Sequence, residues 1–127
     1  MSFLFALAAA TTAQTKCDDM QTQSQMTYCA GLEYRRADAA MNRQWIKTVA
    51  AMKTLDREFT SNFDKRAGYF AALLEAQRTW LKYRDAHCIS EGYQMRGGSG
   101  EPMLVNLCLA SLTEDRTKQL HQLEETK

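Results

Sequence analysis

Neither sign of charge dominates this chain of 127 residues, in which sixteen Lys and Arg stand against fifteen Asp and Glu. Such a balance provides no long-range field to draw in nucleic acid or an anionic membrane. The basic pairs Arg35-Arg36 and Lys65-Arg66 are pairs and not tracts, so nucleic-acid binding is not expected. Long apolar runs are lacking too. The run from Phe3 to Ala10 has eight residues, whereas a membrane-spanning helix needs about 20. No C-x-x-C pair occurs, and His87 and His121 are too scattered for zinc-ligand spacing. No serine occupies a nucleophile elbow and no paired carboxylates form an acid/base frame. Enzymatic activity is therefore not expected, and nothing in the sequence asks for a cofactor or a metal. Strand-like alternation, internal repeats and low-complexity tracts are absent as well.

What is there begins with the N-terminus. Eight apolar residues followed by Thr11-Thr12-Ala13 match the apolar region and small-residue cleavage site of a secretory signal, although no Lys or Arg precedes them. Residues 1–13 are expected to be a signal peptide, and residues 14–127 one domain, since the length suffices for a single core and not for two. Cys17 follows Gln14-Thr15-Lys16, which is not the small, apolar context of a lipid-anchored cysteine. A soluble exported protein, periplasmic or secreted, is expected.

Three long helices can be placed along that domain. Thr22 to Gln25 reads T-x-x-Q just before Met26, a capping-box pattern in which hydroxyl and amide satisfy free backbone donors. Met26, Ala30, Ala37, Met41, Trp45, Val49 and Met52 then recur at helical spacing, with Gly31 weakening the run slightly. The apolar rhythm lapses between Asp56 and Asp64, where Ser61-Asn62 suits a turn or a cap. A second helix carries Phe70, Leu73, Leu74, Gln77, Trp80, Leu81, Arg84 and Cys88, and Arg96-Gly97-Gly98-Ser99-Gly100 interrupts it. Pro102 suits the first turn of a third helix, with Met103, Leu104, Leu107, Cys108, Leu112, Leu120 and Leu123 inward and Glu114, Asp115 and Lys118 outward. Short connections between long helices imply a compact all-α antiparallel bundle. The methionines, at helical spacing, read as core.

Four cysteines, Cys17, Cys29, Cys88 and Cys108, follow the expected signal. In a small exported chain an even number points to disulfides over metal. Four cysteines allow three pairings, and sequence does not choose among them. The hairpin arrangement points to 88 with 108 across the glycine-rich loop, and nearness in sequence points to 17 with 29. A bridged Cys88 would be inert, which removes the one thiol beside a histidine as a nucleophile.

The second helix sets Gln77, Trp80, Arg84 and Cys88 on one stripe, an unusual mixture for a core face. Arg84 can lie over the Trp80 indole and needs a carboxylate, for which Asp38 and Glu33 are the first-helix candidates. Arg116 can share that carboxylate, and Gln77 can join through its amide. Two readings stand: Asp38, Gln77, Trp80, Arg84 and Arg116 form an internal network that fixes helix register, which is the better attested use of buried charge, or they face a ligand groove. The loop divides in the same way. Its glycines can be a plain return between helices, or Arg96, Gly97, Gly98, Ser99 and Glu101 can be a probe held ready for a partner by a disulfide at its base.

Cys17, Thr22-Gln23, Met26, Cys29-Ala30, Tyr34, Ala37-Asp38 and Asn42, followed by Ala76-Gln77-Arg78, Trp80-Leu81, Tyr83-Arg84-Asp85, Cys88, Gly97-Gly98-Ser99, Cys108, Leu112-Thr113 and Arg116, resemble the LprI-like family. The resemblance covers nearly all of the chain after the signal. It implies an exported, disulfide-bonded helical domain that binds a lysozyme-type muramidase or another peptidoglycan-active protein. Lysozymes of hosts are typically basic, and an inhibitor would usually meet them with an acidic patch. Here Asp18, Asp19, Glu114, Asp115, Glu124 and Glu125 are diluted by nearby basic residues. The alternatives of another class are an envelope structural or stress-related protein and a periplasmic partner that neutralises a toxin. The sequence assigns no oligomeric state.

Overall fold

The hydroxyl of Thr22 accepts a hydrogen bond from the Gln25 backbone N–H at 3.1 Å, and the Gln25 side chain accepts from the Thr22 N–H at 3.2 Å. This reciprocal cap opens the first helix, α1 (Gln23–Glu58). The computed structural model describes residues 17–125, so the expected signal at residues 1–13 lies outside it. Two further long helices follow, α2 (Tyr69–Gly92) and α3 (Glu101–Glu125), with a short 3-10 turn, Tyr93–Met95, between them. At 1.5 Å per residue α1 is about 54 Å long, half as long again as either partner. There is no strand among the described residues, and no helix is long and apolar enough to cross a membrane.

Each break in the helices has a local cause. Where the apolar rhythm lapses, α1 stops at Glu58, and the Ser61 hydroxyl accepts from the backbone N–H groups of Phe63 and Asp64, both at 3.2 Å. The residue that precedes α2 is Gly68, which has no side chain with which to cap it. Asp56, near the end of α1, does so instead: its two carboxylate oxygens accept from the N–H groups of Tyr69 at 2.7 Å and Phe70 at 3.1 Å. A negative group at a helix N-terminus also meets the positive end of the helix dipole. A Cβ on residue 68 would lie 2.7 Å from that same carboxylate, so glycine leaves the room the cap requires.

Helices adjacent in sequence run antiparallel, which brings α1 and α3 together side by side and parallel, and these two share the most extensive contact. Met41, Ala51, Met52, Leu73 and Leu120 form the buried apolar cluster, with Trp45, Val49, Leu55, Phe70 and Trp80 packed against it. Three further alanines, Ala30, Ala37 and Ala110, are buried besides Ala51. Two threonines have no exposed surface at all, Thr48 on α1 and Thr113 on α3. The Thr48 hydroxyl reaches the Leu120 carbonyl at 2.8 Å and so ties α1 to α3 through the core. Some expectations of the periodicity need correction. Leu107 and Leu123 on α3 are 39% and 38% exposed, because Cys108, Ala110, Thr113 and Arg116 take the inward positions. Met20 and Met95 are also surface residues, whereas Met41 and Met52 are core.

Both expected disulfides are formed. Cys17 bonds Cys29 with Cα atoms 5.6 Å apart, and Cys88 bonds Cys108 with Cα atoms 5.4 Å apart. No free cysteine remains among the described residues. Closing a loop of this order restricts the unfolded chain by about 3 kcal/mol. Cys29 lies early in α1, Cys88 late in α2 and Cys108 early in α3, so both bridges sit at the end of the bundle that carries the glycine-rich turn.

The remote cap of α2 predicts that Asp56→Ala lowers stability by about 1 kcal/mol, read as a lower urea midpoint with an unchanged slope. An unaltered midpoint would show that the Asp56 carboxylate does not hold the helix start in solution.

Candidate functional site

The turn between α2 and α3 is short and internally bonded. Gly97 takes a positive φ of 79°, which side chains with a Cβ rarely adopt. Its N–H donates to the Glu101 carboxylate at 3.1 Å, and the Gly98 N–H donates to the Met95 carbonyl at 2.9 Å. Gly100 is buried under Met95, whose side chain fills the space a Cβ would need. Below the turn, a Cβ on Gly92 would lie 2.5 Å from a Val105 methyl, so glycine allows α2 and α3 to close on each other just above the Cys88–Cys108 bridge. Arg96, Gly97, Gly98 and Ser99 are exposed at the tip, and the Arg96 guanidinium stands 4.4 Å from the centre of the Tyr93 ring.

The tip does not stand alone. Ser99 and Pro102 share a shallow notch of about 420 Å³ with Gln23, Ser24, Thr27 and Tyr28 from the first turns of α1. The Gln23 amide donates toward the Met103 sulfur at 3.5 Å, which joins α1 to α3 beneath the notch. Tyr28, Tyr93 and Met95 are each between 41% and 49% exposed. One end of the bundle thus presents a rigid turn, one stacked cation and several half-exposed aromatic or flexible apolar side chains. A larger groove, about 580 Å³, lies at the opposite end between the 59–68 loop and the start of α2. There Arg66 and Asp64 pair with each other at 2.7 Å, and this pairing holds the Asp64 carboxyl below the usual carboxylate range.

The polar stripe is an internal network. The Arg116 Nε donates to the Gln77 carbonyl oxygen at 2.9 Å and Nη1 donates to Gln119 at 3.0 Å, while Nη2 is buried without a hydrogen-bond partner. Burial pushes the Arg116 pKa down from its ordinary value, yet a guanidinium remains charged. Arg84 donates to the Thr113 hydroxyl at 3.3 Å, and its carbon centre lies 5.3 Å from the Trp80 ring and 5.4 Å from the Tyr34 ring. The Arg116 carbon centre lies 5.9 Å from that same indole.

One residue expected in the network stands outside it. Asp38 is half-buried on α1 and accepts from Asn42 at 3.4 Å, and Glu33 is exposed. The carboxylate beside Arg84 is that of its neighbour Asp85, at 2.9 Å and 62% exposed. Reaching toward solvent is the easier solution, because a carboxylate carried inside would have to shed its water. Sequence reasoning missed Asp85, Thr113, Tyr34 and Gln119. Asp85 is adjacent to Arg84 and Gln119 is three residues from Arg116 on the same helix, so both could have been found from spacing; Thr113 and Tyr34 meet Arg84 only through packing.

The family model for lysozyme inhibitor LprI matches residues 13–120. The chain belongs to the LprI family. An uncharacterized protein of Rhizobium meliloti (strain 1021) is 44% identical over 110 residues, which span 87% of this chain and 79% of that relative. No solved structure matches. The family is described by inhibition of an enzyme and not by a reaction of its own.

Within this LprI-family chain, the tip lies beyond the end of α2 and the network at its middle. Gln77 lies about 22 Å along the helix from Gly92, and the buried guanidiniums face the interior. If the network is a register device, Gln77→Leu alone will cost about 1–3 kcal/mol, since it strips Arg116 of an acceptor. Gln77→Leu with Arg116→Met removes both partners and will unfold in urea close to the parent. A double variant as unstable as the sum of the single variants would refute that pairing.

Proposed function

We propose that the protein is exported and occludes a lysozyme-type muramidase through the turn Arg96–Glu101 and the adjoining first turns of α1. The observation that carries this reading is the disulfide-clamped, internally hydrogen-bonded turn in a member of a lysozyme-inhibitor family. A probe already in its bound shape loses little conformational freedom on docking, so more of the contact energy appears as affinity.

Glycoside hydrolases flank the scissile bond with two carboxyl groups. Arg96, exposed and stacked on Tyr93, is a cation complementary to such a cleft. Ser99 supplies a hydroxyl on the same exposed turn, and Tyr28 and Tyr93 provide rigid, half-exposed rings of the kind that dominate protein interfaces. The balanced net charge adds no long-range steering, so the reading rests on local fit. The expected signal at residues 1–13, the two disulfides and the family description are together consistent with a periplasmic or secreted location.

Lysis of peptidoglycan-bearing cells by lysozymes of several types tests the proposal. The oxidised protein will slow lysis and a reduced, alkylated control will not. Arg96→Ala with Ser99→Ala will weaken inhibition at least tenfold while leaving the melting temperature within a few degrees. If the folded, fully bridged protein affects none of the lysozymes, the inhibitor reading fails, and a structural or toxin-partner role takes its place.

A further inference from the structure

One group of reactive side chains belongs neither to the turn nor to the buried network. His87 and Glu91 lie one helical turn apart near the end of α2, with imidazole Nε2 3.1 Å from the carboxylate. Cys108, early in α3, points at the same place: its sulfur, an imidazole nitrogen and a Glu91 oxygen all lie within 4.8 Å of one another. His87 and Glu91 are 36% and 46% exposed, so solvent reaches the cluster from one side. The Tyr83 ring stacks on the imidazole at 5.4 Å and holds its plane.

In the oxidised protein the Cys108 sulfur is bonded to Cys88 and offers no thiolate. A dithiol or phosphine reductant changes this. It takes up the oxidising equivalents of the bridge and leaves two thiols, of which that of Cys108 gives its proton to solvent when it ligates a cation. The donors gathered there are then one thiolate, one imidazole and one carboxylate, a set that zinc-class divalent ions take in tetrahedral geometry with solvent in the fourth position. Tetrahedral donors at zinc distances stand roughly 3.4–3.8 Å apart, so the side chains need to close in by about an ångström. The scaffold keeps them near one another without the bridge, because Arg84 to Thr113, Arg116 to Gln77 and the close approach at Gly92 also join α2 to α3.

We propose that the reduced chain holds one zinc-class divalent ion through Cys108, His87 and Glu91, and that metal and disulfide are alternative occupants of the Cys108 sulfur. The sequence conceals such a site because Cys108 lies on a different helix from His87 and Glu91. Metal would hold the hairpin before the bridge forms, and a thiol oxidant that takes two electrons from Cys88 and Cys108 to close the bridge would expel it.

Cobalt titration of the full chain, kept reduced by a phosphine, is the test. One equivalent of cobalt is expected, with thiolate-to-metal charge-transfer absorption that zinc abolishes by displacement, and zinc will raise the melting temperature of the reduced protein. His87→Ala and Glu91→Ala will each weaken cobalt binding at least tenfold, whereas Cys17→Ser with Cys29→Ser will bind as the parent does. The oxidised protein will show no charge-transfer band. Absence of a band in the reduced parent, full affinity in His87→Ala, or loss of binding on removing Cys17 and Cys29 would overturn the proposal. A reduced chain that unfolds and regains no helix with zinc would overturn it equally.

Discussion

Two guanidinium groups and one indole sit where the three helices meet, and among the described residues no buried carboxylate accompanies them. Arg84 reaches outward to the exposed Asp85 carboxylate, and what the two guanidiniums meet inside is neutral acceptors and ring faces, each of which comes from a particular turn of a particular helix. Thr113 fixes α3 against Arg84, Gln77 fixes α2 against Arg116, and Tyr34 brings α1 to the other side. Ring contacts of this type contribute about 0.5–2 kcal/mol depending on solvent access. The cost of misplacing them is larger, because a buried cation that loses its partners cannot discharge itself as a lysine would. Only one relative placement of the helices serves both arginines.

That placement reaches the far end of the bundle through α2 and α3. Arg84 is one helical turn from Cys88, and Cys88 is one turn from Gly92, where the lack of a Cβ leaves room for Val105 of α3. The turn at Arg96–Glu101 inherits its geometry from this ladder of contacts as much as from its own hydrogen bonds. Cys17–Cys29 and the amide of Gln23 bring the start of α1 to the same end, so the surface beside Ser99 is built from two helix starts and one turn. The network stabilises a shape that is used elsewhere.

Much of this was legible from residue types. The T-x-x-Q cap, the interruption near Ser61 and the glycine-rich turn follow from local chemistry, and the hairpin arrangement and nearness in sequence favoured, without deciding, the two disulfide pairings; the structure holds each of them. The carboxylate beside Arg84 did not follow. Spacing can place Arg84 on a stripe, but it does not say whether a guanidinium turns inward to Asp38 or outward to Asp85, because that choice depends on what the neighbouring helix has already filled. Leu107 and Leu123 misled for a related reason. Periodicity places leucine inward by habit, whereas the space on α3 is taken by alanine, threonine and arginine. The remote cap by Asp56 was equally hidden, since no local pattern joins residue 56 to residues 69 and 70.

The composition of the interior explains why polar groups are there at all. Ala30, Ala37, Ala51 and Ala110 let the helices approach closely but provide few knobs, and two methionines among the larger core groups are pliable. A core of that kind favours burial without strongly favouring one register. Sliding a helix by one turn displaces everything on it by about 5.4 Å, which would move the Arg96–Glu101 turn away from Tyr28 and Gln23 while exchanging one small residue for another. Hydrogen bonds do not tolerate such a slip. When α3 slips, Thr48 to the Leu120 carbonyl, Arg84 to Thr113 and Arg116 to Gln77 all break, and the Arg116 guanidinium loses its buried acceptor. The mixed stripe on α2 is thus intelligible as the part of the core that counts turns, and the surface at the disulfide-bearing end depends on that count being right.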